Sequence, residues 1–313
     1  MTKSKNNTTP SLLRDLAHTA RLPNLPTVWS NVTTGYLVGV AFSAAQVGSL
    51  AKILPAFSWS VLGLLLLAST FLYLCGTFLN DGIDVEWDRT NRPERAAPSG
   101  RIPAELLVNL ALVFGIVGVG ITVLLGKFTT VLAGGIVASI LLYTAIHKKT
   151  AWGALPMGIC RALLFPMAAL VGHQYLGGEI NSLLLICATA AGSMLTYVAA
   201  VTWFARNETV EGAPTPGLGY WLKTFVFTIP LLLPLITLPN LLRDNDIWSP
   251  QPALAAAAIA AIWISLAMER GKKQGVGAFI SPALAGIPLV DALFIPNGNW
   301  MMLLIPVGFV AIS

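Results

Sequence analysis

Long apolar segments alternate with short polar ones along this chain. Nine segments are apolar over roughly twenty residues, which is enough for an α-helix to cross about 30 Å of hydrocarbon. They are residues 26–45, 59–80, 104–125, 129–146, 153–173, 182–204, 219–240, 252–268 and 278–295. The tail 300–312 is apolar but short, so a short tenth helix is an alternative there. The pattern predicts an all-α bundle of transmembrane helices.

Polar residues are confined to the amino terminus and to the connections between spans. Residues 1–25 are polar and then weakly amphipathic, and they contain no signal-peptide core. The longest polar connection, residues 79–102, is too short for a soluble domain. We therefore expect an N-terminal segment, residues 1–25, followed by a single transmembrane domain, residues 26–313.

Composition agrees with this interpretation and excludes a soluble receptor. Hydrophobic residues make up 55% of the chain and charged residues 11%, whereas about 25% of a soluble domain is charged. The net charge of +5 is compatible with nucleic acid binding. However, the basic residues form no helical stripe with interleaved aromatic side chains. The expected partner is the lipid bilayer, and no nucleic acid partner is expected.

Basic residues are concentrated on one side of the predicted bundle. Fifteen lie on the side of the amino terminus: Lys3, Lys5, Arg14, Arg21, Arg89, Arg92, Arg95, Arg101, Lys148, Lys149, Arg206, Lys223, Arg270, Lys272 and Lys273. Three lie on the other side: Lys52, Lys127 and Arg243. The positive-inside rule makes the rich side cytoplasmic. Segment 1–25 is therefore predicted to be cytoplasmic.

One connection, LNDGIDVEWDRTNRPERAAPSGRI at residues 79–102, is dense in charge. If the second helix continues through it, Asn80, Asp84 and Asp88 stack at positions i, i+4 and i+8. Asp81 lies beside them. Carboxylates on one face repel each other unless a cation neutralises them, and oxygen ligands of this kind suit Mg²⁺. The spacing therefore predicts a magnesium site at the membrane face.

The second half of this connection supplies positive charge. Arg92, Arg95 and Arg101 carry forked donors that match phosphate oxygens. Pro93 and Pro98 favour a structured loop over a continued helix. Carboxylates beside an arginine loop indicate a site for a metal-chelated diphosphate, and the alternative is a solvated loop that neutralises its own charge.

The stretch NDGIDVEWDRTNRPERAAPSGRI resembles the NDxxDxxxD motif and the RPxRPxPSGxI continuation of the UbiA superfamily of intramembrane prenyltransferases. Similar segments are RLPNLPTVW at 21–29, YTAIHKK at 143–149 and GICR at 158–161. The resemblance implies a nine-helix bundle with a central cavity open to the lipid. Members typically condense a polyprenyl diphosphate with an aromatic or other acceptor, using Mg²⁺.

Two further segments, ARNETVEG and HKKTAWGALPMGICR, look most like the divergent EboC-type branch of UbiA-like proteins from bacterial gene clusters. This finer resemblance implies a location in the bacterial inner (plasma) membrane, and the positive-inside rule places the active site on the cytoplasmic side.

The second acidic motif of the family departs from its usual form, DxxDxxxD, at residues 204–213. Other residues stand at the aspartate positions: Arg206, Thr209 and Ala213. Oxygen-bearing side chains remain nearby at helical spacing: Asn207, Glu208 and Glu211. These side chains are predicted to hold a second metal, or Arg206 replaces that cation. The alternative is a degenerate loop without a ligand.

The motifs assign the candidate residues to roles. The expected metal ligands are Asn80, Asp81, Asp84, Asp88, Asn207, Glu208 and Glu211. The expected diphosphate-binding residues are Arg21, Arg92, Arg95, Lys148, Lys149, Arg161 and Arg206. The expected catalytic residues are Asp84, Asp88 and Arg161, and further cavity candidates are Asn31, Tyr143 and His147.

Some of these residues have alternative explanations. Arg161 and Asp291 lie inside apolar spans, where a charge is costly and usually faces a cavity or a partner. A Ser, Thr or amide group could instead satisfy Asp291 structurally. His147 stands where the family commonly has lysine, and it either binds a ligand or caps its helix.

Together these patterns predict a Mg²⁺-dependent prenyltransferase. It transfers a prenyl group from a polyprenyl diphosphate to an aromatic or other small acceptor within the membrane. The alternative is a catalytically weak or inactive protein that binds isoprenoid diphosphates or takes part in their transport, and the altered second motif favours this alternative.

Overall fold

The structure is a computed structural model that describes residues 12–46, 57–148, 150–174, 180–206, 218–241, 248–295 and 308–309. These residues are almost entirely helical and contain no β-strand. The first seven helices are α1 Leu12–Thr19, α2 Leu25–Gln46, α3 Trp59–Ile83, α4 Val85–Asn91, α5 Ala104–Leu125, α6 Lys127–Ile146 and α7 Ala154–Ala162. The next six are α8 Leu164–Gln174, α9 Ile180–Arg206, α10 Leu218–Leu241, α11 Pro250–Gln274, α12 Val276–Ala285 and α13 Ile287–Asp291.

Seven helical segments within the described ranges are long and apolar enough to cross a membrane. They are Trp59–Ile83, Ala104–Leu125, Lys127–Ile146, Ala154–His173, Ile180–Phe204, Pro250–Gln274 and Gly277–Phe294. Helices α2 and α10 stand at the two other predicted spans, and α10 contains the shorter apolar stretch Val226–Pro239. The all-α bundle is confirmed, whereas the count of nine crossings stays a prediction. The proposed tenth helix lies outside the described residues apart from 308–309.

Two of the predicted spans are bent rather than straight. The span predicted at 153–173 is divided into α7 and α8, and the span at 278–295 is divided into α12 and α13. Pro166 follows the first break and Pro288 follows the second. Proline has no N–H to donate to the carbonyl four residues earlier, and its ring crowds that carbonyl, so the helix kinks there.

The outer faces of the bundle are apolar. Exposed side chains on α5, α6 and α11 include Ile116, Leu124, Val131, Ile262 and Leu266. An apolar outer surface together with internally paired helical backbone is what a lipid environment requires. The interior holds two buried hydrophobic clusters, one centred on α3, α5 and α6 and one on α9 to α13.

Helices α2 and α8 touch through their main chains. A Cβ atom on Gly39 would lie 2.0 Å from the carbonyl oxygen of Ala169. A Cβ atom on Gly172 would lie 2.5 Å from the carbonyl oxygen of Tyr36. No side chain fits at either position, so glycine permits the close approach. We call this contact the glycine seam.

Candidate active site

A cavity of about 550 Å³ lies among α2, α3, α6, α7, α9 and α12. Its charged end, which we call the mouth, is lined by Arg21, Asn80, Asp84, Asp88, Arg92, Arg95, Tyr143, His147 and Lys148. The remaining wall, the inner chamber, is mainly apolar and includes Leu72, Ile136, Ile140, Leu164, Val201 and Ile287. Arg161 is the charged side chain in this inner wall. The cavity thus joins a polar site to an apolar one.

The helix entering the mouth continues almost without interruption from α3 into α4. The amide of Asp84 donates to the carbonyl oxygen of Asn80 at 3.0 Å, and the amide of Asp88 donates to that of Asp84 at 2.9 Å. Because this ladder persists, Asp81, Asp84 and Asp88 are all buried on one side. Glu86 is exposed. The predicted stacking of the carboxylates is therefore confirmed.

Two of the three carboxylates are paired with arginines. The Nη2 of Arg21 lies 2.6 Å from Oδ1 of Asp81. The Nη1 of Arg95 lies 2.8 Å from Oδ2 of Asp88 and 3.4 Å from Oδ1 of Asp81. Arginines from before α2 and from the loop after α4 thus converge on one helix face and neutralise it.

The third carboxylate, Asp84, is paired with residues at the end of α6. The Nζ of Lys148 lies 2.7 Å from its Oδ1, and the Nε2 of His147 lies 3.1 Å from its Oδ2. Burial raises the pKa of Asp84, but the hydrogen bonds and charges of His147 and Lys148 outweigh burial and leave this pKa below its ordinary value. Asp84 is therefore held as an anion.

His147 is oriented through both of its ring nitrogens. Its Nδ1 lies 2.9 Å from the carbonyl oxygen of Tyr143, and its Nε2 faces the Asp84 carboxylate. Its ring also stacks on that of Tyr143, with centroids 4.5 Å apart. The imidazole is thus fixed between the end of α6 and the Asp84 carboxylate. His147 therefore lines the mouth as well as ending its helix.

The loop after α4 is structured, as its prolines predict. Gly100 adopts a φ of 78°, a left-handed conformation that glycine accepts without a steric cost. Arg92 and Arg95 line the mouth, but Arg101 lies elsewhere. The Nε of Arg101 pairs with Oδ2 of Asp15 in α1 at 3.0 Å. Arg101 therefore ties the N-terminal helix to this loop.

Arg21 is held in an unusual backbone conformation. Among the described non-glycine residues, Arg21 is the one with a positive φ, 47°. Such values are uncommon because Cβ crowds the backbone. Its guanidinium reaches Asp81, and its carbonyl oxygen accepts a hydrogen bond from the hydroxyl of Tyr73 at 3.0 Å. These two contacts stabilise the conformation from both sides.

Sequence reasoning missed two aromatic residues of the cavity wall. Tyr73 precedes Asn80 by seven residues, which is two helical turns, so both lie on one face of α3. This spacing was a usable signal. Trp87 also lines the cavity, and its ring lies 4.5 Å from the Nζ of Lys148 in a cation–π contact. Trp87 and Lys148 belong to different parts of the chain, so no spacing within one helix indicates their contact.

The inner chamber contains a buried cation. The guanidinium carbon of Arg161 lies 5.9 Å from the ring centroid of Tyr73. Its Nη1 is buried and has no hydrogen-bond partner within the described ranges. At the mouth, the Oδ1 of Asn80 is likewise buried without a partner there. These two atoms have hydrogen-bonding capacity that a ligand in the cavity can use.

Asn31 lies behind the cavity wall and contacts Asp291. The Nδ2 of Asn31 donates to Oδ1 of Asp291 at 2.7 Å, and the hydroxyl of Ser30 donates to Oδ2 at 2.6 Å. All three residues are at most 1% exposed. We call them the floor cluster. The amide and hydroxyl partners expected as an alternative for Asp291 are thus present.

Several candidates lie outside the described residues, namely Lys149, Asn207, Glu208 and Glu211. Arg206 ends α9, but its side chain is also outside the described part. Their roles stay predictions. Within the described ranges, no three His, Cys, Asp or Glu side chains converge as metal ligands. The mouth still fits Mg²⁺, which takes one or two carboxylates and fills its other positions with phosphate oxygens and water.

Comparison with known proteins agrees with this architecture. The UbiA prenyltransferase family model matches residues 37–281. The digeranylgeranylglyceryl phosphate synthase of Sulfurisphaera tokodaii is 35% identical over 74 residues, which are 24% of this chain and 27% of that protein. The enzyme of the same name from Saccharolobus solfataricus is 33% identical over 75 residues, again 24% and 27% of the two chains. The alignments thus span about a quarter of these relatives.

Two solved structures share the fold. One concerns the biosynthesis of digeranylgeranylglyceryl phosphate synthase in membranes. It superposes with a TM-score of 0.59 at 19% identity, covering 96% of this chain and 99% of the other. The apo structure of a UbiA homologue from Aeropyrum pernix K1 gives 0.62 at 15% identity, covering 88% and 96%. The EboC-type resemblance stays a prediction. The match over residues 37–281 and the membrane helices around one cavity establish that this integral membrane protein belongs to the UbiA prenyltransferase family.

Proposed function

We propose that the protein is a Mg²⁺-dependent prenyltransferase that uses a polyprenyl diphosphate and a small acceptor, aromatic or otherwise, within the membrane. The observation that carries this proposal is the continuity of the cavity. Its mouth holds carboxylates and basic groups, and its inner chamber is apolar. A diphosphate ester of an isoprenoid has the same division, a charged head on a hydrocarbon tail, so one molecule matches both halves.

Basic side chains at the mouth are positioned to bind the diphosphate. Arg95 and Lys148 now lie against carboxylates at 2.8 and 2.7 Å. Arg92 lines the same mouth. A diphosphate offers oxygens that these cations bind with charge-assisted hydrogen bonds. Mg²⁺ held by Asn80, Asp84 and Asp88, with Asp81 beside them, would offset the negative charge of the diphosphate. These groups together favour departure of the diphosphate.

Transfer requires one bond to break and one to form. The bond between the allylic carbon and the diphosphate oxygen breaks, and its electron pair leaves with the diphosphate. A nucleophilic atom of the acceptor then supplies the electron pair for the new bond to that carbon and loses a proton, which the released diphosphate can take up. Leu72, Ile136 and Ile140 give the inner chamber apolar walls, which exclude water from the allylic cation. The mouth cations stabilise the negative charge of the leaving group.

The relatives give a first donor to test. Both are named digeranylgeranylglyceryl phosphate synthase, so geranylgeranyl diphosphate is a suitable starting compound. Purified protein in lipid nanodiscs would be incubated with it, Mg²⁺ and a panel of small acceptors, aromatic and otherwise, and inorganic pyrophosphate release would be measured. Mass spectrometry of the lipids that co-purify with the protein identifies the isoprenoid independently. We expect a bound isoprenoid diphosphate or its transfer product. Finding neither, with no binding of added donor, contradicts the proposal.

The alternative function, binding without turnover, has its own outcome in this experiment. Donor that binds with Mg²⁺ dependence while no pyrophosphate is released would favour a binding or transport-associated role. Restoring aspartates at 206, 209 and 213 then tests whether the altered second motif limits the reaction. A gain of pyrophosphate release would show that the native mouth binds the donor but reacts slowly.

We also propose that the mouth faces the cytoplasm of a bacterial cell. Fifteen basic residues lie on the same side of the predicted bundle as the mouth, and three lie on the other side. A single cysteine at Glu94, in a background without Cys75, Cys160 and Cys187, reports the orientation. Glu94 is exposed in the loop after α4. A membrane-impermeant maleimide should label it in inverted vesicles and not in intact cells. The opposite labelling pattern would reverse the topology.

A further inference from the structure

Arg161 differs from the cations of the mouth in what surrounds it. Arg21, Arg95 and Lys148 each lie within 2.8 Å of a carboxylate oxygen. Arg161 lines the mainly apolar inner chamber, and its buried Nη1 has no hydrogen-bond partner in the described part of the chain. A charge inside an apolar span is costly and usually faces a cavity or a partner. The guanidinium of Arg161 is therefore available to an anion that enters the chamber.

Two helices place Arg161 deeper in the cavity than the predicted metal ligands. Helix α7 begins beside the mouth, because a Cβ atom on the preceding Gly153 would lie 2.4 Å from the Cα of His147. Arg161 lies seven residues after the start of α7, which is about 10 Å along the helix. On α3, Tyr73 lies seven residues before Asn80, again about 10 Å. The guanidinium carbon of Arg161 is 5.9 Å from the ring centroid of Tyr73, so both helices give the same depth.

The wall between this depth and the mouth has room for a small molecule. Gly76 and Thr77 line the cavity from α3 between Tyr73 and Asn80, and both have small side chains. A diphosphate held with Mg²⁺ at the mouth lies at the Asn80 end of this wall. The sequence grouped Arg161 with the diphosphate-binding residues, but its depth sets it apart from them.

The charge of Arg161 affects the reaction proposed for the chamber. An allylic cation that forms there is repelled by a buried guanidinium, because like charges interact strongly where the dielectric is low. The carboxyl group of Asp291 in the floor cluster accepts hydrogen bonds from Ser30 and Asn31, and within the described ranges no hydrogen bond joins it to Arg161. An anion bound to Arg161 removes the repulsion, whereas a neutral molecule leaves it in place.

We propose that Arg161 binds an anionic group on the acceptor, either a carboxylate or a phosphate. The forked donors of a guanidinium match the paired oxygens of both groups. The cation–π contact with Tyr73 holds the guanidinium at the chamber wall. The acceptor is then a small anion whose nucleophilic atom points from Arg161 towards the allylic carbon of the donor. That the bound molecule is the acceptor rests on the proposed function, whereas the anion site does not.

Benzoate and benzamide have similar shapes and differ in charge, so they test the anion site without turnover. Each would be titrated into protein without donor in phosphatidylcholine nanodiscs. Benzoate should bind more tightly than benzamide by about tenfold or more, the scale of a charged hydrogen bond. Arg161→Gln should remove this preference. Arg89→Gln, the same substitution at an exposed ion pair, should keep it. Equal binding of benzoate and benzamide to the parent protein overturns the proposal.

Phenyl phosphate in the same titration distinguishes the two anionic groups. If it binds Arg161 more tightly than benzoate does, the acceptor group is a phosphate, and the reverse order makes it a carboxylate. Loss of phenyl phosphate binding in Arg161→Gln is required in the first case.

Inorganic pyrophosphate with Mg²⁺ separates this site from the mouth. It should occupy the mouth and leave benzoate binding unchanged, because Arg161 lies beyond the mouth. Displacement of benzoate would mean that both anions use the mouth cations, and it overturns the proposal. This comparison uses the parent protein, so it stands even if Arg161→Gln does not fold. If pyrophosphate itself does not bind, the proposed function fails, and the comparison of benzoate with benzamide still decides the anion site.

Turnover gives a test of the acceptor role. With 4-hydroxyphenylacetate as acceptor, Arg161→Gln should raise the acceptor KM by about tenfold or more. It should leave the donor KM near its parent value, because the mouth is unchanged. Arg161→Lys, which keeps the charge but not the fork, should recover part of the preference for 4-hydroxyphenylacetate over its amide. A raised donor KM with an unchanged acceptor KM would assign Arg161 to the diphosphate and overturn the proposal.

Discussion

The two ends of the cavity satisfy their carboxylates in opposite ways. At the mouth, Asp81, Asp84 and Asp88 face basic side chains from three separate parts of the chain. At the floor, Asp291 faces a hydroxyl and an amide, and both come from α2. The mouth is therefore neutralised by charges, whereas the floor is held by neutral hydrogen bonds.

This difference separates a place that can exchange partners from one that cannot. A basic residue of the mouth can leave its carboxylate for a diphosphate oxygen when a metal takes over that carboxylate, and charge stays balanced. The floor cluster is at most 1% exposed and has no such route. We expect ligands to reorganise the mouth and to leave the floor as it is. The predictions below test this contrast, from the largest expected effect to the smallest.

The largest effect is expected at the mouth carboxylates. Asp84→Asn or Asp88→Asn should abolish the Mg²⁺-dependent part of prenyl diphosphate binding while the protein stays folded, because each removes a charged oxygen ligand. Glu86→Gln is the matched control, since Glu86 lies on the exposed side of the same helix and pairs with Arg89. Isothermal titration with and without Mg²⁺ measures the difference. Unchanged magnesium dependence in both variants would exclude this metal face.

A second effect concerns the part of the mouth that residues near 206 are predicted to complete. Arg206→Ala should weaken diphosphate binding by about 1.5–3 kcal/mol, the scale of a charged hydrogen bond. If Glu208 and Glu211 instead hold a second Mg²⁺, the variant with Gln at both positions should lower the metal stoichiometry, and Arg206→Ala should matter less. If neither Arg206→Ala nor the variant with Gln at positions 208 and 211 has an effect, this loop takes no part in binding.

At the floor, removing one donor should affect stability rather than binding. Asn31→Leu leaves Oδ1 of Asp291 without a partner, which should lower the free energy of unfolding by about 1–3 kcal/mol. Arg89→Gln breaks an exposed ion pair whose side chains are 56% and 81% exposed, and it should cost about 1 kcal/mol or less. Thermal unfolding in detergent compares the two variants. Equal losses of stability in the two variants would mean that the buried hydrogen bond of the floor cluster contributes no more than an exposed ion pair.

The smallest effect is a pH dependence at the mouth. Because the folded pKa of Asp84 is lowered, its ion pairs stabilise the fold above the ordinary pKa of 3.8 and lose this contribution as the pH falls through the folded value. Lys148→Met should therefore be less stable than the parent at pH 7, and the gap should narrow below pH 3.8. A gap that stays constant with pH would mean that Lys148 acts through packing on Trp87.

Periodicity within one helix predicted the parts of this site that a single helix forms. The placement of Asp81, Asp84 and Asp88 on one side followed from their spacing, and the position of Tyr73 could have been inferred in the same way. The spans at 59–80 and 104–125 correspond closely to α3 and α5, since long apolar runs leave little freedom in where helices form.

Contacts between distant helices could not be predicted. The sequence predicted that Mg²⁺ neutralises the three aspartates and that the basic residues bind diphosphate, yet Arg21 and Arg95 pair directly with two of the aspartates and Lys148 with the third. Arg21 lies 60 residues before its partner, and Asn31 lies 260 before Asp291. Such pairs depend on how the helices pack, and no single-helix pattern encodes their relative rotation.

The glycine seam has a consequence for the route by which the proposed isoprenoid substrate enters and leaves. At Gly39 and Gly172 the backbones of α2 and α8 are already in contact, with no room for even one added carbon atom. A lipid tail cannot slip between two backbones that exclude a methyl group. A lipid molecule that moves between the cavity and the bilayer must therefore pass through another side of the bundle. The α2–α8 side stays closed while it does so.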